Sequence, residues 1–406
     1  MSQSTSAITC VPGFRAIGVT CGLKQSGNPD LALIVADGPC VAAAVFTKNL
    51  FKAAPVLYDM ALLERTSQLQ AIITNAGNAN AVTGEQGLRD AERMARMTEE
   101  ACQLAPDSVF VMSTGIIGAK MAMDKVEQGI QAAAAAIKTE AGHQGRLAAQ
   151  AIMTTDLVPK EAFAQVEIAG KNVSLGGMAK GSGMIHPNMG TMLSALVTDA
   201  AITPQVLHTA LKHAANHSFN RVTVDGDTST NDTLVILASG AANNPTITEA
   251  HGADYDAFVS MLTAVCVDLA KAIARDGEGA TKLVEITVRG ALSEIEAETA
   301  AKTVATSPLF KTAIFGNDPN WGRALAAIGR SNVSLKPNKV SLWLGDFLLV
   351  DNGEPQPFEA KAVHNWLAES TEVALVVQLG MGQAEASVWS CDFSYKYVEI
   401  NAEYHT

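Results

Sequence analysis

The sequence predicts a mixed α/β protein. Apolar runs that read as short strands alternate along the chain with helical spacings, and the strand runs end in turn-forming or polar residues. One long stripe, Tyr255 to Ile273, carries Phe258, Leu262, Val265, Leu269 and Ile273 on a single helical face. A chain of 406 residues exceeds one ordinary core, which implies two domains or one large sandwich with a smaller partner.

Taken in order, Leu31 to Val35, Val41 to Phe46 and Leu69 to Thr74 read as strands. Arg89 to Leu104 follows as a helix, with Met94, Met97, Ala101 and Leu104 at helical spacing. Val109 to Met112 is a strand feeding Ser113-Thr114-Gly115, and Met123 to Ile137 is an alanine-rich helix. Pro204 to Ala215 reads as a helix, Leu234 to Ala238 as a buried strand, and the alternation of Tyr395 to Ile400 as a final strand.

Composition narrows the function. Hydrophobic residues make up 48% and charged residues 17%, ample for a large interior, and a mean hydropathy of +0.15 points to apolar surface for subunit contacts. A net charge of -12 argues against nucleic acid or an anionic membrane as partner. The chain shows no run of transmembrane length and no basic region followed by an apolar core at its start, so a cytoplasmic protein is expected. The six cysteines, Cys10, Cys21, Cys40, Cys102, Cys266 and Cys391, have neither zinc-site nor disulfide-framework spacing.

The most informative segment runs from Lys180 to Leu193, KGSGMIHPNMGTML. A hydroxyl nucleophile is weak until a base takes its proton, and a threonine that becomes its own N-terminus supplies that base as its α-amine. Thr191 follows Gly190, and glycine permits the bend that brings a hydroxyl onto its own preceding peptide at the least steric cost. Scission would leave an α-amine titrating near 7.7 to 8.0, suited to general-base work at about neutral pH. By itself the same pair also reads as an ordinary turn or strand start.

Ser113-Thr114-Gly115 ends an apolar strand in a turn. A threonine hydroxyl beside a glycine N–H can aim two donors at one developing oxyanion; a structural strand-to-helix turn is the alternative. The acidic run Asp225 to Asp232 lacks the terminal acidic ligand of a calcium loop and reads as a hydrogen-bonded turn beside the site. Asp318 to Arg323 either packs structurally or flanks the site, and Asn75 to Asn80, rich in amides, is placed to line a pocket near Thr114.

The Lys180–Leu193 segment resembles the processing site of the ornithine acetyltransferase (glutamate N-acetyltransferase) family of arginine biosynthesis. The blocks Asn75 to Asn80, Ser113 to Gly118, Thr154-Thr155-Asp156, Asp225 to Asp232, Gly316 to Arg323 and Ile400 to Thr406 agree in order, nearly end to end. One departure is Gly190, where the family usually has alanine.

The resemblance implies an α/β/β/α sandwich of the DmpA and ornithine acetyltransferase type over residues 1–282, with a smaller C-terminal α/β domain over 283–406. It implies self-cleavage between Gly190 and Thr191 into chains 1–190 and 191–406, two copies of each assembling. Thr191 is then the nucleophile, and Thr114 and Gly115 form the oxyanion hole. Substrate is bound by Thr154, Lys180, Thr191, Glu278, Asn401 and Thr406, with Thr155 one position from Thr154 as the competing register. Lys180 supplies a cation and Glu278 an anion for an amino-acid substrate; either residue alone reads as a solvated surface charge.

The activity implied is ping-pong transfer of acetyl from N-acetyl-ornithine to glutamate, with acetyl-CoA as a further candidate donor and no metal, nucleotide or prosthetic group. Two other readings fit the residues: an N-terminal-nucleophile amidohydrolase or aminopeptidase that hands the acyl group to water, and an uncleaved amino-acid-binding protein.

Overall fold

The computed structural model describes residues 6–139, 143–186 and 192–403. Gly190, Thr191 and Thr406, three of the residues singled out above, lie outside them.

The chain opens with β1 (Phe14–Val19), β2 (Leu31–Phe46), α1 (Ala54–Arg65), β3 (Gln68–Asn78), α2 (Gly84–Cys102) and β4 (Val109–Ile116). It continues through α3 (Met123–Ala136), α4 (Gly145–Ala151), β5 (Lys160–Ile168), β6 (Lys171–Lys180), β7 (Leu193–Thr198), α5 (Pro204–Asn216), β8 (Thr233–Ala238) and α6 (Ala253–Arg275). The strands join one sheet in the order β4-β3-β2-β8-β7-β6-β5, with β1 paired to β2.

β2 organises this sheet. The sequence suggests two strands, because Asp37-Gly38-Pro39 breaks the apolar run; the chain instead stays extended across that break as one 16-residue strand. Its first half pairs with β1 and β3, its second half with β8, and the ladder to β3 is irregular between Val35 and Cys40. A proline is tolerated at such an interruption because no ladder hydrogen bond is asked of it.

Alternation then sorts the faces. Leu31, Leu33 and Val35 of β2, Ala71 and Ile73 of β3, and Val109 and Val111 of β4 pack outward with residues of α2 and α3. Ala43 and Val45 of β2, Leu196 of β7 and Ile236 of β8 pack outward on the other side, beneath α5 and α6. The residues between them, Ala32, Ile34, Ala42 and Ala44, join Ile72, Phe110, Ala195, Val197, Val235 and Leu237 in one interior with α4. The two halves of the sheet thus face each other and helices cover both outer faces, an α/β/β/α sandwich.

α6 is long and apolar enough, by length and composition, to cross a membrane. Its stripe of Phe258, Leu262, Val265, Leu269 and Ile273 is instead buried against the sandwich, so the sequence reading that no run reaches that length is corrected and the helix is a core element.

From Leu283 the chain builds a second sheet with its own core. The elements are β9 (Leu283–Ala291), α7 (Glu294–Ala305), α8 (Pro308–Phe315), α9 (Trp321–Gly329), β10 (Ser341–Leu344), β11 (Phe347–Asp351), β12 (Glu354–Pro355), α10 (Ala360–Glu369), β13 (Glu372–Gln378) and β14 (Ala384–Cys391). The strand order is β12-β11-β10-β13-β9-β14. Ile286, Val288, Ala301, Leu342, Val363 and Leu375 belong to the core this sheet forms with its helices.

The chain ends in α11 (Tyr395–Glu403), a helix and not the strand that its alternation suggests. Tyr395, Tyr397, Val398 and Ile400 are aromatic or apolar and Lys396 and Glu399 are charged, a six-residue pattern too short to exclude a helix. The helix wins because the Ser394 hydroxyl accepts the Lys396 N–H to start a turn, and Lys396 meets Glu399 one turn on at 2.6 Å.

Candidate active site

Strand ends and loops from distant parts of the sequence meet at one cavity of about 250 Å³. β4 brings Thr114 and Gly115, the loop after α4 brings Thr154 and Thr155, and β6 brings Lys180 with Gly183 and Met184 beyond it. The segment before β8 brings Ser229, Thr230 and Asn231, the loop after α6 brings Glu278, and α11 brings Asn401. An adjoining recess shares Thr114, Lys180 and Asn231 with it and is also lined by Met192 and Asp232. A larger cleft of about 450 Å³ lies by α1 and α2, but its Arg65 and Arg96 are paired with Asp107 and Glu92.

Thr114 and Gly115 sit where the parallel pairing of β3 and β4 turns irregular. Gly115 has φ +130°, and a Cβ there would stand 2.4 Å from the backbone carbon of Gly77, so only glycine fits. The amides of Asn75–Asn80 brace this edge rather than face the cavity: Asn75 Oδ1 accepts the Ser113 hydroxyl at 2.6 Å and its Nδ2 donates to the Asn78 carbonyl at 2.8 Å. Asn231 Nδ2 ties the same edge to the β8 side, donating to the carbonyls of Ala79 and Ser113 at 2.6 and 2.7 Å.

Lys180 Nζ donates to Thr114 Oγ1 at 3.4 Å. An ammonium can only donate, so Thr114 accepts there and its own hydrogen is left to point elsewhere. Thr114 and Gly115 both line the cavity, and a threonine O–H and a glycine N–H are the donor types that hold a developing oxyanion.

Both charged residues singled out in the sequence are buried, each 8% exposed, and neither is a solvated surface charge. Burial pushes the Lys180 ammonium down, with Lys160 adding to the effect, while Asp156, Asp232 and Glu278 oppose it. Lys160 donates to Asp156 Oδ1 at 2.7 Å and to Asp276 Oδ2 at 2.5 Å. Asp156 also accepts the N–H of Gly181 at 2.7 Å and of Thr154 at 2.9 Å, so one carboxylate fixes the approach to both Lys180 and Thr154. Burial alone would raise that carboxyl, yet Lys180 and Lys160 hold it well below the usual range.

On the opposite wall, Gly183 leaves room for Glu278: a Cβ at 183 would stand 2.3 Å from its carboxyl carbon. Asn401 Nδ2 donates to Glu278 Oε2 at 2.8 Å, and the Ser394 hydroxyl holds α11 to the Gly279 carbonyl at 2.6 Å. Asp225 forms the turn that the acidic run suggests. Its carboxylate accepts the N–H groups of Met184 at 2.6 Å, Ile185 at 2.9 Å and Asp227 at 3.2 Å. Asp318–Arg323 is elsewhere: Asn320 caps α9 through the Arg323 N–H at 3.3 Å, and Trp321 packs on the second core.

Of the sequence candidates, Thr114, Gly115, Thr154, Lys180, Glu278 and Asn401 line the one cavity, together with Thr155, which leaves the Thr154 register undecided. Met192, the residue after Thr191, lines the recess. Sequence reasoning gave no role to Lys160 or Asp276, and read Asp232 only as part of the Asp225–Asp232 turn beside the site. The available signal was charge within otherwise apolar strand margins, which acquires meaning only when the partner from another segment is known.

Fold and cavity together define a class: an α/β/β/α sandwich whose strand ends enclose a small polar site with both signs of charge. Residues 15–406 match the ArgJ family, and the chain belongs to that family. It is 50% identical over 408 residues to the arginine biosynthesis bifunctional protein ArgJ of Symbiobacterium thermophilum, covering 100% of both chains. It is 48% identical over 412 residues to ArgJ 1 of Nostoc, covering 100% of this chain and 99% of that one. Among solved structures, ArgJ from Bacillus halodurans is 45% identical with a TM-score of 0.49, covering 51% of this chain and 96% of that one. The ornithine-complexed ornithine acetyltransferase of Mycobacterium tuberculosis is 38% identical with a TM-score of 0.40, covering 46% of this chain and 97% of that one.

Proposed function

We propose that this protein is a glutamate N-acetyltransferase of arginine biosynthesis, moving the acetyl group of N2-acetyl-L-ornithine to L-glutamate. The observation that carries this is membership of the ArgJ family over residues 15–406, joined to a cavity in which Thr114, Lys180 and Glu278 converge. Acetyl-CoA is a second donor, in keeping with the bifunctional name of the relatives.

In this reading the chain cuts itself between Gly190 and Thr191. The Thr191 hydroxyl attacks the acetyl carbon while the freed α-amine takes its proton. The Thr114 hydroxyl and Gly115 N–H hold the oxyanion. Collapse breaks the C–N bond, the amine's proton goes to the departing ornithine nitrogen, and an acetyl-threonine ester remains. The amine of glutamate attacks that ester, gives its proton to the Thr191 amine, and leaves as N-acetylglutamate when Oγ recovers its hydrogen. Lys180, with two ammonium hydrogens beyond the one on Thr114, receives the substrate carboxylate. Glu278, steadied by Asn401, receives the substrate's free amine. Thr154 and Thr406 complete the substrate contacts, and the scheme requires no metal or prosthetic group.

The sheet supports a cut that leaves the two fragments together. β6 and β2 belong to residues 1–190, β7 and β8 to residues 191–406, and the β6–β7 and β2–β8 ladders cross between them. Two such pairs form the working assembly, in the cytoplasm where its amino-acid substrates are made.

The test is acetyl transfer by purified protein. N-acetylglutamate and ornithine are expected in equal amounts, and only with glutamate present. Ornithine release at the same rate without glutamate establishes a hydrolase instead, and an active protein that runs as one intact chain on a denaturing gel removes the self-cleaved nucleophile.

A further inference from the structure

The cation and the anion of the cavity sit on two segments that one serine fastens together. Ser182, 1% exposed, lies two residues beyond Lys180, where β6 ends. Its hydroxyl donates to the Asp276 carbonyl at 2.7 Å, and its own carbonyl accepts the Glu278 N–H at 2.9 Å. The strand that carries Lys180 is thereby joined at two points to the loop that carries Glu278. Ser182 itself does not line the cavity, and its single hydroxyl hydrogen is engaged, so it has no part in the transfer scheme.

A second linkage runs alongside. Asp156 accepts the Gly181 N–H and one hydrogen of the Lys160 ammonium, both at 2.7 Å, and the same ammonium reaches Asp276 Oδ2 at 2.5 Å. Gly181 is thus tied to the Asp276 side chain while Ser182 is tied to the Asp276 backbone, and Asp156, Lys160, Ser182 and Asp276 are all buried. Buried hydrogen bonds are costly to leave unmade, so this ring resists opening. The two charged side chains are steadied in turn, Lys180 on Thr114 and Glu278 by Asn401.

We propose that Ser182 is a specificity-determining positioning residue: by fixing the spacing of Lys180 and Glu278 it makes the site gauge the length of a substrate between its carboxylate and its free amine. The proposal rests on the reading above in which Lys180 receives the carboxylate and Glu278 the amine. The ligand class that satisfies both is a diamino acid acylated on its α-nitrogen, with its ω-ammonium free and its methylene count matched to the gap. One methylene more or less moves that ammonium by up to about 1.5 Å, one carbon–carbon bond. Such a shift takes a charge-assisted hydrogen bond out of its range of about 2.7–2.9 Å. The wrong length is rejected only if the two charges cannot move to follow it.

The experiment is Ser182→Ala, which removes the hydroxyl bridge and keeps the backbone one. The donors compared, with glutamate as acceptor, are N2-acetyl-ornithine, its longer and shorter homologues N2-acetyl-lysine and N2-acetyl-diaminobutyrate, and N-acetyl-norvaline, which has the ornithine carbon chain without its amine. For N2-acetyl-ornithine kcat/KM is expected to fall about 10-fold through KM, with kcat within about 3-fold of the parent. For the other donors kcat/KM should stay within about 3-fold, so the preference for the ornithine length drops about 10-fold. If the alanine variant does not fold, Ser182→Cys, nearly the same size with a weaker donor, carries the same test at about a 3-fold loss of preference.

A parent that uses all these donors alike, or a folded alanine variant that keeps the parent's preference, overturns the proposal. An equal loss with N-acetyl-norvaline also overturns it, because that donor offers no amine to gauge and reports only general damage to the site. Glu278→Gln separates the proposal from the reading beneath it. If that variant keeps the parent's ratio of N2-acetyl-ornithine to N-acetyl-norvaline use, Glu278 does not receive the amine and both ideas fall. If that ratio collapses while Ser182→Ala leaves it unchanged, only the role of Ser182 falls.

Discussion

Asn401 reaches out of the last helix to donate to Glu278 across 2.8 Å, joining two residues 123 positions apart in sequence at one wall of the cavity. The glutamate is fixed in place by a segment that in most chains is a dispensable tail. Loss of a hydrogen bond to a charged group costs about 1.5–3 kcal/mol, roughly tenfold or more in affinity. Asn401→Ala is therefore expected to raise KM for N-acetyl-ornithine about tenfold with folding intact. Deletion of residues 401–406 should go further and abolish transfer while leaving self-cleavage in place. Steady-state kinetics on both variants check this, and unaltered KM values remove α11 from the site.

Gly183→Ala tests the same wall from the other side. The new methyl would stand 2.3 Å from the Glu278 carboxyl, the far end of a flexible side chain, so the glutamate moves and the fold remains. Substrate use should fall, and the change should be strongly non-additive with Glu278→Gln, since both act on one carboxylate. A double-mutant cycle measures this; simple additivity contradicts it.

At Gly115 the obstacle is backbone. A Cβ would meet Gly77 at 2.4 Å and φ is +130°, so Gly115→Ala must displace the end of β4. Transfer is expected to fall on the order of 100-fold or more, mostly in kcat, as for removal of one oxyanion donor. A variant at full kcat shows that Gly115 does not serve the oxyanion.

The ionic floor predicts an acid response. Asp156 is held below its ordinary value in the folded protein, so its stabilising contribution is complete above the unfolded value of about 3.9 and is lost as pH falls below that toward the folded value. Lys160→Met removes one of the two cations responsible and leaves Asp156 and Asp276 underpaired. Stability should drop by about 3–5 kcal/mol near neutral pH, and acid unfolding should begin at higher pH. Circular dichroism melts between pH 3 and 7 read both, and an unchanged acid midpoint argues against the network.

Thr191→Ala is expected to yield one uncut, inactive chain of 406 residues, whereas Thr191→Ser keeps the hydroxyl and should cut and retain partial turnover. In the parent, the two fragments should co-purify and separate only in denaturant, because the β6–β7 and β2–β8 ladders span them. Intact mass and gel filtration check both.

The amino-acid sequence determined the periodic elements and the blocks of residues that chemistry needs. Phe258, Leu262, Val265, Leu269 and Ile273 mark α6 through their spacing, and Thr114-Gly115 marks a strand end, because these patterns are local and a short window contains them whole. The ordered blocks named the family, and six of the candidate residues lie on one cavity. Tertiary structure decided the rest. Asp37-Gly38-Pro39 reads as a turn but lies inside β2, since pairing on both sides keeps the chain extended where local preference would end it. Tyr395 to Ile400 reads as a strand but coils as part of α11, because a six-residue pattern does not exclude a helix anchored at Ser394 and Asn401. Lys180 and Glu278 look like surface charges until Asp156, Lys160, Asp276 and Asp232 arrive around them from other segments. Burial and charge pairing belong to the folded chain, because they depend on what distant residues bring to the same place.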